Sequence, residues 1–189
     1  MVITLAELYK GLHPQVLQAH VRWAQFLALF TVSDDRTQFI FRVAPWFFRL
    51  VQDTFRDDAF ISLSRLTDRS QTAGKANLTL ESLVDAAEAS GQSALASAAR
   101  ALLAQLLVQV ESIRIWRNKW LGHTDLAAGL ASPPLPTAKV QRGDIDEALR
   151  LTREIMGLFA AHQGQLRYGY DSVIVIGDAK DLLKALGSP

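Results

Sequence analysis

From Leu5 to about Gln165 the apolar residues recur every three or four positions, the spacing that lines one face of a helix, with a change of character around residues 125–143. The first substantial helix is expected from about Pro14, a residue suited to a helix start, through Val16, Val21, Phe26 and Phe30. Ser33 can cap the next helix, with Asp34 and Asp35 in its first turn where the helix dipole favours acids. Pro45 should break that helix after Phe39, Ile40 and Val43, and the chain resumes as helix from Trp46 to about Thr67. Gln71 to Asn77, polar and containing Gly74, reads as a loop. Thr79 is placed to cap a short helix ending near Gly91, with Glu81 just inside it.

The longest uninterrupted pattern runs from about Ser93 to Leu121, rich in Ala and Leu and free of Gly and Pro, and is expected as one central helix. Asp144 and Glu147 predict a capping box for a helix carrying Ile145, Leu149, Leu151, Ile155, Met156 and Phe159. Ser172–Ile176 is short and apolar enough for a lone extended segment, and Asp178 can cap a last helix to Leu186. The pattern predicts an all-α fold: an antiparallel helix bundle of five or six helices, with a long surface loop near 125–143 and a single domain over 1–189.

Composition narrows what this bundle does. With 189 residues and 49% hydrophobic content the chain can bury a continuous core. It has no cysteine, so disulfides, thiolate metal sites and a cysteine nucleophile are excluded. The four histidines show no zinc-binding spacing, and neither a P-loop nor a GxGxxG is present, so no metal and no cofactor is expected. The amino-terminal stretch carries Glu7 and no basic region, and Ala24–Val32 and Ala101–Val110 are too short to span a bilayer, so a cytoplasmic protein with no membrane partner is expected. Lys and Arg total 20 against 19 Asp and Glu, a net charge of +1, so any polyanion site must be a local patch.

One such patch exists. Arg114, Arg117, Lys119 and His123 fall within ten residues, with Asn118 among them. Arginine offers a planar fork of donors that matches phosphate, and histidine exchanges a proton near neutrality, the two kinds of group that phosphate chemistry needs. On an ideal helix, six residues at about 100° each leave Arg117 and His123 roughly 120° apart, although Gly122 can end the helix and let His123 turn.

The pattern of Arg117, polar Asn118, four further residues and His123 resembles the hallmark of the HEPN superfamily. Arg65-Leu66-Thr67-Asp68, the loop with Gly74 and Asn77-Leu78-Thr79-Leu80 are similar to the matching region of its abortive-infection, AbiU-like branch, so that the likeness covers about residues 55 to 125. The resemblance implies a homodimer in which motifs of two protomers form a metal-independent endoribonuclease site, of a toxin or phage-defence type. Arg117 would hold the scissile phosphate, His123 would act as general acid or base, and Asn118 would orient one or the other, leaving a 2′,3′-cyclic phosphate and a 5′-hydroxyl. Arg114 and Lys119 would bind RNA, and Arg65 and Asp68 would support the site. An antitoxin partner is implied too, though not one that modifies a tyrosine just after the motif, because none follows His123 until Tyr168.

Other readings stand beside these. The patch could bind RNA or a nucleotide without turnover, or the apolar helices could serve an interaction protein. Arg117 could form a bidentate salt bridge to Asp68 and His123 could cap a helix end. Arg65 and Asp68, three apart, could pair with each other. Trp116 and Trp120 suit packing better than base stacking, and His13, His20 and His162 read as surface or packing residues.

Overall fold

The structure is a computed structural model that describes residues 3–30, 34–122 and 140–187. Helix α1 spans Leu5–Phe30 and begins well before Pro14, which lies inside it. Its start is fixed by Thr4 and Glu7. The Glu7 backbone N–H donates to the Thr4 hydroxyl (3.2 Å), while the Thr4 N–H and hydroxyl donate back to the Glu7 carboxylate at 2.8 and 2.7 Å. These bonds hold Glu7 below the usual carboxylate range. Pro14 then deprives the Lys10 carbonyl of its helical partner without ending the helix.

Helix α2 (Asp34–Val43) and helix α3 (Pro45–Leu66) are separated at Ala44, whose extended backbone (φ −153°, ψ 79°) is what a following proline imposes. Ser33, expected to cap α2, lies outside the described residues. The polar stretch after α3 is a small antiparallel hairpin rather than a loop alone, with β1 (Gln71–Thr72) paired to β2 (Lys75–Ala76). Its turn residues Ala73 and Gly74 both take positive φ (50° and 76°), the backbone of a tight two-residue turn that glycine adopts freely. Asn77 clamps the hairpin by donating to the Arg69 carbonyl at 2.9 Å and the Thr72 hydroxyl at 2.8 Å. Helix α4 (Leu80–Ala89) is capped by Thr79 as expected, and Ser82 completes the box.

The expected helix from Ser93 to Leu121 is three pieces: α5 (Ser93–Gln109), α6 (Glu111–Trp116) and a π-helical turn over Arg117–Gly122. Between α5 and the following segment the axis bends by 52° at Val110. No glycine or proline marks the bend. Leu106, Val110 and Ile113 are all fully buried, so packing sets it, and it lays α6 and the π turn along α3.

Helix α7 (Arg142–His162) begins earlier than expected. The Asp144 carboxylate accepts from the Gln141 backbone N–H at 2.8 Å, so Asp144 closes the first turn instead of opening it, and Glu147 pairs with Arg150. The long connection expected near 125–143 therefore ends before Arg142, and its remainder falls largely outside the described residues. Among the described residues Ser172–Ile176 pairs with no strand, and Ile174 and Ile176 are exposed. Helix α8 (Ala179–Ala185) is capped by Asp178 as expected.

The described helices form an all-α bundle, with eight α-helices where five or six were expected, because of the break at Val110 and the short terminal pieces. The main core is built where α5 packs on α7 and α1 on α3, around Leu12, Leu63, Leu106, Ile155 and Phe159. A satellite core lies where α8 meets the end of α1, α2 and the start of α3, around Phe30, Ile40, Phe48 and Leu183. Among the described residues no single helix is long and apolar enough to cross a membrane.

Candidate functional site

The bend at Val110 brings α6 against the end of α3, and there Asp68 meets two arginines. Asp68 lies in the turn after α3, where Thr67 is the C-cap. The Arg114 guanidinium donates to the Thr67 carbonyl and, through the same Nη2, reaches the Thr67 hydroxyl at 3.2 Å and Asp68 at 3.4 Å. Arg114 thus ties α6 to the end of α3 by satisfying a carbonyl that the helix leaves open. Burial pushes its guanidinium below the ordinary value, and Asp68 offsets part of that shift.

Arg117 reaches the same carboxylate from the first residue of the π turn, with Nη1 at 3.3 and 3.5 Å from the two Asp68 oxygens and Nε donating to the Asn118 side chain at 3.1 Å. The salt bridge weighed for Arg117 forms, but at distances long for a charge-assisted hydrogen bond, and through one nitrogen rather than a two-pronged fork. Among the described residues Nη2 of Arg117 makes no hydrogen bond. The three charged side chains keep 28–34% of their surface in water, so the pairs are only weakly stabilising. Two cations share one carboxylate, and the cluster carries a net positive charge.

Arg114 and Asn118 line one wall of a cleft of about 800 Å³, with Leu107 and Ile115 beside them. The opposite wall comes from the segment Thr67–Gln71 and from α4. That wall holds acids that were not among the predicted site residues: Glu81 and Asp85, one helical turn apart on α4, joined at the cleft by Glu111 of α6. Glu81 accepts from the Ser70 backbone N–H at 2.5 Å and Asp85 from the Ser70 hydroxyl at 2.8 Å, so both fasten the hairpin segment. Their i, i+4 spacing was visible in the sequence, but which wall they would face was not.

Lys119 is half-buried and makes no ion pair among the described residues. Arg65 does not join this group. It lies in a narrow groove between α1 and α3 beside Gln15, Arg22 and Asp58, so in place of the alternative pairing with Arg65, Asp68 pairs with Arg114 and Arg117. Trp116 packs against the core, edge-on to Phe60 at 6.1 Å, with the Arg56 guanidinium 5.5 Å from its ring centre. His123 and the side chain of Trp120 lie outside what the structure describes.

With this arrangement established, comparison with known proteins adds one result. The chain matches the family model HEPN AbiU2, described as AbiU2, over residues 3–182. No curated protein and no solved structure matches it.

Proposed function

The chain belongs to the AbiU2 family of HEPN proteins, and from that premise we propose that it is a metal-independent endoribonuclease that cuts RNA through Arg117 and His123 in a site shared by two copies. The supporting observation is the arrangement around Asp68, in which Arg117, 28% exposed, is loosely held and, among the described residues, keeps Nη2 without a hydrogen bond. A phosphate can take the place of the Asp68 carboxylate on Arg117 while Arg114 keeps the acid. The π-helical turn that carries Arg117 adds to this, because such wide turns concentrate at functional sites.

In the reaction, His123 acts on the ribose 2′-hydroxyl or on the leaving oxygen. The 2′-oxygen attacks the adjacent phosphorus as its proton is removed, the bond to the 5′-oxygen breaks, and that oxygen takes up a proton. Arg117 holds the phosphate as charge builds on its oxygens, and Asn118, already hydrogen-bonded to Arg117, keeps the fork oriented. The products are a 2′,3′-cyclic phosphate and a 5′-hydroxyl. Arg114 and Lys119 contribute to RNA affinity, and a phage-defence or toxin role, with an antitoxin as partner, fits the family.

The proposed pairing of two copies has a candidate surface. Val43, Trp46, Phe47 and Leu50 lie at one corner of the bundle at 49, 86, 59 and 67% exposure. This ridge offers roughly 500 Å² of apolar surface, taking each large side chain at its usual area. Twofold pairing through it would remove roughly 1,000 Å² from water, the size at which specific interfaces begin.

Incubation of the protein and of His123→Ala with mixed RNA in the absence of divalent metal tests the proposal. Cyclic-phosphate ends from the parent alone support it. Salt-sensitive RNA binding with no cut ends from either protein would make the chain a binding module instead.

A further inference from the structure

A second pocket lies between the first half of α1 and the chain that follows α7, and shares no lining residue with the cleft beside Arg114. It has a volume of about 450 Å³, within the range of small-molecule sites. Helix α1 contributes Tyr9, Lys10 and His13, which share a face at one-turn spacing. The segment after α7 contributes Gln163 and Tyr168. Among the described residues, none of the side chains lining the pocket is a carboxylate.

The pocket is held in shape from behind. Tyr170 is 2% exposed, and its hydroxyl lies 2.6 Å from Nδ1 of His13. Burial holds the Tyr170 phenol well above its ordinary value and the His13 imidazole below its own, so near neutrality both are uncharged. With the phenol donating to Nδ1, the imidazole carries its proton on Nε2. His13 therefore offers an N–H donor, and Lys10 an ammonium, to whatever occupies the pocket.

Aromatic surface completes it. The Tyr168 ring meets His13 edge-on at 4.7 Å and the Tyr9 ring lies 6.2 Å from it. Three rings, a cation, an imidazole and the Gln163 amide, with no negative group among them, make a surface complementary to a flat ring at one end and an anion at the other.

We propose that this pocket binds a small planar aromatic ring bearing an anionic group, with Lys10 and His13 holding the charge and Tyr168 the ring, over a floor that includes the buried Tyr9. The site is independent of the RNA-cleaving reading and does not require it. AMP as ring plus phosphate, adenosine as ring alone and inorganic phosphate as charge alone are suitable probes, titrated by calorimetry into the full chain. AMP should bind at least about tenfold more tightly than either fragment, and Lys10→Ala and Tyr168→Ala should each weaken it by about tenfold. Both residues are exposed, so the variants keep the fold. Arg117→Ala should leave AMP binding unchanged, whatever it does to RNA. The proposal is overturned if AMP binds no more tightly than adenosine or phosphate, or if its binding is lost in Arg117→Ala and kept in the two pocket variants.

Discussion

Arg117 and Asp68 are 49 residues apart in sequence and 3.3 Å apart in space, and the same carboxylate also takes Arg114. Asp68 is therefore a resident anion at the place where a substrate anion would compete. Replacing it with Asn keeps the shape of the side chain and removes the competitor. Asp68→Asn should cost about 1 kcal/mol of stability or less, since the pairs are partly in water, and should tighten RNA binding with a steeper salt dependence. Weaker binding would mean that Asp68 positions Arg117 rather than competing for it.

The arginine and the histidine should fail differently. His123→Ala should lower the cleavage rate by about 10²- to 10⁴-fold while RNA binding persists. Arg117→Lys keeps the charge but loses the planar fork, and should lower both binding and cleavage. Gel-shift and single-turnover assays on the same RNA separate the two effects.

The exposed ridge at the start of α3 makes a claim about assembly. Trp46→Ser combined with Leu50→Ser should convert a dimer to a monomer in sedimentation and abolish cleavage if the site is shared, at little cost to the fold, because both side chains are already in water. A parent protein that sediments as a monomer at working concentration would count against the shared site.

Acid should loosen the bundle through His20. Its ring is 6% exposed, its Nδ1 donates to the Val16 carbonyl at 2.9 Å, and burial, reinforced by Arg153, holds its pKa below the ordinary histidine value against the opposing pull of that hydrogen bond, of the Leu149 backbone and of Asp171. The folded chain keeps His20 neutral while the unfolded chain takes a proton near its reference value, about 6.5. The stability from this residue is complete above that pH and falls as the pH drops below it, with a slope of up to about 1.4 kcal/mol per pH unit. Urea unfolding between about pH 7 and pH 5 should show the slope, and His20→Gln should reduce it, leaving the contribution of His13.

Thr79→Ala should cost about 1 kcal/mol, because the hydroxyl caps α4 at the Ser82 N–H and is buried. A shift in melting temperature reads this directly. Ser82→Ala removes the reciprocal half and should cost less.

What the sequence made legible was local. Thr79, Pro45 and Asp178 act through their own neighbours, and each marks the boundary it was expected to mark. Pro14 misled because a proline suited to a helix start drew attention from the true start, the box of Thr4 and Glu7 ten residues earlier. The bend at Val110 left no mark in the sequence, since nothing between Ser93 and Leu121 breaks a helix; contact with α3 creates it. Asp68 was a partner open to Arg117 from the sequence alone, but that Arg114 would share it while Arg65 stood apart follows from that bend and could not be read before the fold was known. The arginine half of the motif and Asp68 could be found from residue chemistry and spacing, and the acids Glu81, Asp85 and Glu111 at the cleft could not.

The two-part interior also divides the molecule's resistance to unfolding. The satellite core around Phe30, Ile40, Phe48 and Leu183 is joined to the main one through α1 and α3, and α8 is fastened to α1 where the Ala179 N–H donates to the Gln25 side chain at 2.6 Å. Such a unit can open while α5 and α7 stay packed, so backbone amides of α2 and α8 will trade their hydrogens with solvent well before those of α5 and α7, and a single melting temperature will describe only the slower half.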